Sequence, residues 1–211
     1  MILILTQCFP SRVGGIESLI GNLAINLGKT EKVVVFADRH NIFYDAVFDN
    51  QHKEDILVRR VSGLKYFRRR KKIKEIKLFI DSKKVKLVIA DSWKSLELII
   101  DYLNINKIPT VSLAHGNELL SDNDSKINRI KKTLNKVTSI VANSLYTKNL
   151  VINFISSNIP INVVHPGAID LRNIDEIKIE NLDGNPTLLT LARLEKRKGH
   201  KHIILSIKEI V

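Results

Sequence analysis

Short apolar runs alternate along this chain with longer segments in which apolar residues recur at helical spacing. The apolar runs predict strands at 2–5, 33–37, 57–61, 87–90, 110–114, 140–142 and 163–164. The periodic segments predict helices at 16–28, 66–82, 95–103, 125–134 and 144–155. Strands that are apolar throughout are typical of a parallel sheet covered by helices on both faces. The fold class predicted is therefore α/β, with a Rossmann-like, doubly wound parallel sheet.

The strand–helix rhythm stops in an acidic and polar stretch at 168–185. The turn sequence Asp183-Gly184-Asn185-Pro186 closes this stretch, and an apolar run at 187–192 precedes a new helical pattern. We therefore expect an N-terminal domain at 1–167, a linker at 168–185, and the incomplete start of a second domain, one strand and one helix, at 186–211.

Charge adds a second feature to this pattern. The chain has 34 Lys and Arg against 22 Asp and Glu, a net charge of +12, which favours an anionic partner. The densest basic segment, 65–77, also carries apolar residues at helical spacing, and we expect it to contact a membrane surface. A solvated helix and a nucleic-acid patch are the alternatives, but aromatic residues are only 6% of the chain and no nucleic-acid motif occurs. The contact residues predicted are Arg68, Arg69, Arg70, Lys71 and Lys72.

The cysteine content and the lengths of the apolar runs indicate where in the cell the protein is found. Cys8 is the single cysteine, so an internal disulfide is excluded and a reducing compartment is favoured. No apolar run approaches the ~18 residues that cross a bilayer. We expect a cytoplasmic protein, peripheral on the inner face of the plasma membrane.

Two glycine-containing turns have the features of a phosphate site. Gly14-Gly15 joins the first strand to a helix, where backbone amides lie open to an anion; a flexible turn is the alternative. Arg193 and Lys198 flank a second strand-to-helix turn and supply positive charge; a solvated basic turn is the alternative. The dinucleotide fingerprint Gly-x-Gly-x-x-Gly is absent, which disfavours NAD.

A third segment, His115-Gly116-Asn117-Glu118, follows the strand at 110–114. Its histidine can donate to a ligand hydroxyl or carry a proton, although a capping or packing histidine has the same pattern. Asp122-Asn123-Asp124 has the form of a metal-binding Asp-x-Asp, but its polar surroundings favour a helix-capping loop, and we expect no metal.

Taken together, the ordered motifs resemble glycosyltransferase family 4, and within it the phosphatidylinositol mannosyltransferase branch. The motifs are Phe9-Pro10, Gly14-Gly15-Ile16-Glu17, His115-Gly116-Asn117-Glu118, Asn143-Ser144, Pro166-Gly167 with Asp170, and Arg193-Leu194 with Lys198-Gly199. The resemblance implies a GT-B fold of two facing Rossmann-like domains. It also implies a retaining enzyme that transfers a hexose, such as mannose, to a lipid or polysaccharide precursor at the cytoplasmic membrane face.

The same resemblance assigns roles to individual residues. Gly14, Gly15, Arg193 and Lys198 would hold the diphosphate of a GDP- or UDP-linked sugar and stabilise charge on the leaving group, the work of a metal in other glycosyltransferases. His115 would lie beside the donor sugar and orient it. No further cofactor is implied.

One departure from the family pattern affects the expected activity. The family's second domain carries two glutamates eight positions apart that contact the donor, and no such pair occurs in this sequence. We therefore expect this chain to be inactive alone. The alternative is a non-catalytic or split subunit that needs a partner chain to supply the donor domain.

Overall fold

The computed structural model describes residues 1–156, 158–167 and 187–210, which divide into two compact units. Met1–Ala168 forms the first unit and Ile169–Val211 the second. The predicted linker at 168–185, with Asp170, lies outside the described residues.

The first unit is built on a parallel sheet in the strand order β3-β2-β1-β4-β5-β6-β7. The strands are β1 (Ile2–Leu5), β2 (Val33–Asp38), β3 (Ile56–Val61), β4 (Leu87–Ala90), β5 (Thr110–Ala114), β6 (Ser139–Ala142) and β7 (Ile161–Val163). The order reverses between β1 and β4, so the crevice of a doubly wound sheet opens at the carboxyl ends of these two strands. The predicted α/β, Rossmann-like fold is confirmed.

Helices cover both faces of this sheet. They are α1 (Gly15–Gly28), α2 (Ile42–Gln51), α3 (Lys65–Ser82), α4 (Trp93–Leu96), α5 (Ile100–Ile105), α6 (Asp124–Leu134) and α7 (Leu145–Ile152). Alternate residues of the strands enter two separate cores, so that Leu3 and Leu5 pack on one face while Ile2 and Ile4 pack on the other. This two-sided burial is the reason why the central strands β1 and β4 are apolar throughout.

The sequence prediction differs from the structure in two places in this unit. Helix α2 was not predicted, because its first apolar residues are consecutive and not at helical spacing. In the structure these residues, Ile42, Phe43 and Tyr44, are exposed and form no buried stripe. Its start is fixed instead by Asn41, whose side chain accepts hydrogen bonds from the first-turn amides. The single helix predicted at 95–103 is two short helices, α4 and α5, separated by a turn at 97–99.

The second unit contains a 3₁₀ turn at Lys196–Lys198 and helix α8 (His200–Ile210). The helix was predicted correctly. The strand predicted at 187–192 is not formed, since these residues pair with no neighbouring strand in the described part of the chain. The apolar side chains of this run, Leu189 and Leu191 among them, are consequently exposed.

Candidate active site

The glycine pair lies at the start of α1, at the carboxyl end of β1. Gly14 is the residue before the first helical turn, and no side chain caps that turn. A Cβ on Gly15 would have nothing within 4 Å, so no protein group occupies the space beside this backbone. Glu17, buried in the same turn, pairs with Arg12 at 3.0 Å. The amides of this turn are therefore open to a ligand, as an anion site requires.

A buried carboxylate, Asp91, joins the two strands at the crevice. Its Oδ2 accepts hydrogen bonds from the Thr6 hydroxyl at 2.8 Å and from the Gln7 amide at 3.0 Å. Its Oδ1 accepts from the Ser95 hydroxyl at 2.6 Å. Asp91 thereby fixes the end of β1 against the end of β4, and its backbone carbonyl is held in a defined position.

His115 is held by that carbonyl. Its Nε2 lies 2.9 Å from the backbone oxygen of Asp91. Because a carbonyl oxygen only accepts, Nε2 carries a proton and donates it to this oxygen. In a neutral imidazole with this tautomer, Nδ1 is the acceptor. The amide of His115 donates to Glu118 Oε1 at 2.7 Å, and Gly116 supplies the positive φ of 103° that this tight turn needs. These hydrogen bonds hold both the backbone and the ring of His115 in place.

The segments after β5, β6 and β7 meet in one cavity. Asn143 follows β6 and donates to the carbonyl oxygen of His115 at 3.4 Å, while Ser144 caps α7 by accepting from the Thr147 amide, as predicted. The cavity measures about 190 Å³. Its lining includes Leu19, Leu23, His115, Asn143, His165 and Pro166. The structure thus brings together three motifs that the sequence placed at separate strand ends.

Arg193 and Lys198 lie in the second unit: Arg193 precedes its 3₁₀ turn, and Lys198 is the last residue of that turn. Both side chains are exposed, and Arg193 pairs loosely with Glu195 at 3.7 Å. Gly199 adopts a left-handed φ of 72°, which lets the chain turn directly into α8. Two cations therefore precede a helix N-terminus, as predicted from the sequence.

The basic segment 65–77 is divided by the fold into buried, paired and exposed parts. Lys72 is buried, with its ammonium 2.7 Å from the Thr6 carbonyl oxygen and 2.6 Å from Asp38 Oδ1. Its predicted contact with a membrane surface is wrong, because the apolar stripe of α3 faces the sheet and carries Lys72 inward. Arg68 and Arg69 are half-buried and pair with Asp38 and Glu97.

Four cations of the segment stay exposed: Lys65, Arg70, Lys71 and Lys74. The guanidinium of Arg70 lies 4.3 Å from the ring centroid of Tyr66, itself exposed. In the described part of the chain, no helix is long and apolar enough to cross a bilayer.

Two structural groups were missed in the sequence. Asp91 directly follows the strand at 87–90, so its position at a carboxyl strand end was a usable signal. Nothing in the sequence indicated that Arg60 is buried, because polar residues in a half-polar strand are expected to face solvent. In the structure its side chain is only 2% exposed. The interpretation of Asp122-Asn123-Asp124 as a capping loop is confirmed, since Asn123 Oδ1 accepts from the Lys126 amide at 2.9 Å.

The Rossmann-like domain places the glycine turn and the fixed histidine at the carboxyl edge of a doubly wound sheet, where ligands of such folds bind. Residues 13–171 match the model of glycosyltransferase family 4. This chain belongs to glycosyltransferase family 4. No curated protein matches it.

Solved structures share the fold at low sequence identity. Anabaena HepE in complex with UDP and glucose has a TM-score of 0.60 and 15% identity over 80% of this chain and 45% of its own. Lipopolysaccharide outer core galactosyltransferase WaaB in its apo form has a TM-score of 0.55 and 16% identity over 78% and 45%. Arabidopsis thaliana UGT89C1 complexed with UDP-L-rhamnose has a TM-score of 0.53 and 15% identity over 78% and 48%.

These likenesses establish the fold, the Rossmann-like type found in GT-B glycosyltransferases. The chain spans somewhat less than half the length of the structures it matches. The resemblance drawn from the sequence is confirmed for the family.

Proposed function

We propose that this chain is the acceptor-side part of a retaining, nucleotide-sugar-dependent hexosyltransferase. The observation that carries the proposal is the meeting of the family's motifs at one sheet edge, around a histidine whose tautomer and orientation are fixed. The acceptor proposed is a lipid or a polysaccharide precursor at the cytoplasmic membrane face. Mannose remains the first sugar to test, from the likeness to the phosphatidylinositol mannosyltransferase branch.

The donor proposed is a UDP- or GDP-linked hexose. Support for UDP comes from HepE and UGT89C1, whose structures contain UDP or a UDP-linked sugar. In this proposal the amides at Gly14 and Gly15 donate to the diphosphate, and Arg193 and Lys198 supply its counter-charge. Fixed donors and cations of this kind stabilise the negative charge that grows on the leaving nucleoside diphosphate.

His115 has a positioning role in this proposal. Its Nδ1 accepts a hydrogen bond from a sugar hydroxyl, while Nε2 stays bound to the Asp91 carbonyl. The domain division proposed is 1–167 for the acceptor side and 186 onward for the donor side. The division into compact units at residues 168 and 169 supports this boundary.

Attachment to an anionic membrane surface is proposed through the exposed start of α3. Lys65, Arg70 and Lys71 lie there beside the exposed apolar side chains of Leu64 and Phe67. Basic residues near an anionic bilayer contribute about 1 kcal/mol each, and interspersed apolar side chains add to this. Arg68 and Arg69 contribute less than the sequence suggested, since both are engaged in ion pairs.

Titration of the 211-residue chain with UDP, and in parallel with GDP, tests the donor site. We expect weak binding that falls about tenfold in Arg193→Ala and in Lys198→Ala, since a hydrogen bond to a charged group contributes about 1.5–3 kcal/mol. Lys201→Ala, which removes an exposed lysine from α8, is the matched control and should leave binding unchanged. Equal affinity in all three variants would remove the phosphate-site assignment.

A further inference from the structure

A chain of hydrogen bonds runs along the carboxyl edge of the sheet, from the end of β2 to the segment after β5. The ammonium of Lys72 donates to Asp38 Oδ1 at 2.6 Å and to the Thr6 carbonyl oxygen at 2.7 Å. The Thr6 hydroxyl donates to Asp91 Oδ2 at 2.8 Å, and the Asp91 carbonyl oxygen accepts from His115 Nε2 at 2.9 Å. The three inner members, Thr6, Lys72 and Asp91, are at most 4% exposed. A buried lysine of α3 is thereby connected to the histidine of the candidate site.

Thr6 is the junction of this chain and directly follows the last residue of β1. Its amide donates to the Phe36 carbonyl oxygen at 3.0 Å, and its hydroxyl accepts from the Cys8 amide at 2.9 Å. The hydroxyl also lies 2.7 Å from the Cys8 carbonyl oxygen, but a carboxylate is the stronger acceptor for its single proton. The amide, the carbonyl oxygen and the hydroxyl of Thr6 are therefore all engaged, which fixes the direction in which the hydroxyl donates.

Asp91 lies one residue beyond the last pair of the ladder between β4 and β5. Uncharged donors hold its carboxylate, among them the Thr6 hydroxyl, the Gln7 amide and the Ser95 hydroxyl. No cation of the described residues forms an ion pair with it. A buried carboxylate without a cation depends on its hydrogen bonds, so loss of the Thr6 hydroxyl should let Asp91 move.

The ring of His115 depends in turn on Asp91. Among the residues that the structure describes, its ring nitrogens make one hydrogen bond, the one to the Asp91 carbonyl oxygen. The ring is only half-buried and lines the cavity of about 190 Å³. Without this bond, neither the tautomer nor the angle of the ring would be fixed.

We propose that Thr6 and Lys72 are positioning residues for His115 and act on its ring through Asp91. The inference rests on the proposed function in one respect, the role of His115 in orienting a sugar hydroxyl. Hydrogen bonds in series polarise and orient one another, so the loss of one link loosens the next. The buried ammonium of Lys72 thus has a task at the candidate site as well as in the packing of α3.

Substitutions of similar shape along the chain test the proposal. Thr6→Val removes the hydroxyl, and Thr6→Ser retains it. Lys72→Met removes the ammonium but leaves Asp38 its ion pair with Arg68, so no buried carboxylate loses its last cation. Arg68→Gln is the matched control, because it removes the second cation on Asp38 without breaking the chain to Thr6. Thermal unfolding of each variant confirms that it is folded.

The measurement is the pair of ring 15N chemical shifts of His115, recorded by NMR at about pH 8.5, where an ordinary imidazole is neutral. His115→Gln, which lacks this signal, assigns it. A ring that keeps its proton on Nε2 shows two widely separated nitrogen shifts. Exchange between the two tautomers moves these shifts towards each other, so their separation reports on how firmly the ring is held.

The unmodified chain, Thr6→Ser and Arg68→Gln should show widely separated shifts. Thr6→Val should move the shifts towards those of free histidine, and Lys72→Met should do so to a smaller extent, because it acts one link further away. The double variant should match Thr6→Val alone, since both changes act through the same residue. An unchanged ring in Thr6→Val or in Lys72→Met, or an equal shift in Thr6→Ser or Arg68→Gln, would overturn the proposal, as would tautomer exchange in the unmodified chain.

Donor titrations separate this inference from the proposed function. The ratio of the affinities for UDP-glucose and UDP measures what the sugar contributes to binding. In Thr6→Val this ratio should fall about threefold to tenfold, the range of one hydrogen bond, while the affinity for UDP stays unchanged. Equal affinities for UDP-glucose and UDP in the unmodified chain would count against the proposed role of His115 alone, because the NMR shifts are measured without a ligand.

Discussion

Replacing Arg60 with methionine should destabilise the first unit by removing the centre of a buried ion-pair network. Its guanidinium lies 3.1 Å from Asp45 Oδ1 and donates to both carboxylate oxygens of Asp49, at 2.8 and 2.7 Å. It also donates to the Pro10 carbonyl oxygen and lies 5.5 Å from the ring centroid of Phe9. Arg60 thus joins β3 and α2 to the loop that leads to the glycine pair.

The size of this loss in unfolding free energy depends on which hydrogen bonds Asp45 and Asp49 retain without Arg60. Breaking one side of a buried pair costs about 3–5 kcal/mol. Asp45, only 3% exposed, retains hydrogen bonds from the Ser11 hydroxyl and the His40 amide, whereas Asp49, 27% exposed, can be hydrated. Because these contacts remain, the loss of unfolding free energy should lie near the lower limit, about 3 kcal/mol. A loss of this size should lower the midpoint of thermal unfolding by about 6–12 °C.

Urea unfolding followed by the fluorescence of Trp93 measures this loss. Trp93 is the only tryptophan and is buried in the first unit, so its signal reports on that unit. The control is Arg59→Met on the same strand, whose exposed guanidinium contacts the Phe79 ring and should cost only about 0.5–1 kcal/mol. A second variant, Arg60→Met with Asp45→Asn, should recover part of the loss, because it no longer leaves a buried carboxylate without its cation.

The same network gives the loss a pH dependence. Burial raises the pKa of Asp45, but hydrogen bonds from Ser11 and the His40 amide and the charge of Arg60 outweigh it, so this pKa lies below its usual value. A lowered pKa in the folded state stabilises the fold above the unfolded-state pKa, about 4, and that contribution is lost as the pH falls further. The difference between the unmodified chain and Arg60→Met should therefore shrink below about pH 4. A loss below about 1 kcal/mol at pH 7, equal to that of Arg59→Met, would refute the role of Arg60.

Three further predictions concern single positions. Cys8 should react with iodoacetamide at pH 8 more than about a hundredfold more slowly than glutathione, because a pKa of about 11 leaves little thiolate; an equal rate would refute the burial argument. Gly28→Ala should destabilise the fold by about 1–3 kcal/mol in urea unfolding, since its Cβ would lie 2.4 Å from the Asp55 carbonyl oxygen. Gly15→Ala, whose Cβ meets nothing within 4 Å, should instead keep its stability and lose UDP affinity; a stable variant with full affinity would contradict the role of this turn.

The sequence predicted those parts of the fold whose cause is local. Continuous apolar runs identified the strands because these strands are buried on both faces, and Gly28 marked the end of α1 correctly. The rule that ligands bind at the carboxyl ends of parallel strands placed Gly14 and His115 at one edge of the predicted sheet. Family motifs at this edge were recognisable for the same reason: each is a short, contiguous segment.

Contacts between distant segments were decided only by the tertiary structure. From the sequence alone, 65–77 is a basic helix. Packing against the sheet buries Lys72, which pairs with Asp38, a residue 34 positions away in the sequence. The turn at 97–99 occurs where Glu97 pairs with Arg69 of α3 and Arg129 of α6, so periodicity alone did not predict it. A strand also needs a partner to hydrogen bond with, which is why the apolar run at 187–192 gave a wrong prediction.

The candidate site also has features that the sequence determined and features that only the fold determined. The sequence determined which residue types stand at the ends of the strands, because a motif is carried by neighbours along the chain. Only the fold determined that the Asp91 carbonyl oxygen holds the His115 ring, and that Lys72 forms a buried ion pair with Asp38. Pairing of charges is a matter of distance in space, and a sequence records distance only along the chain.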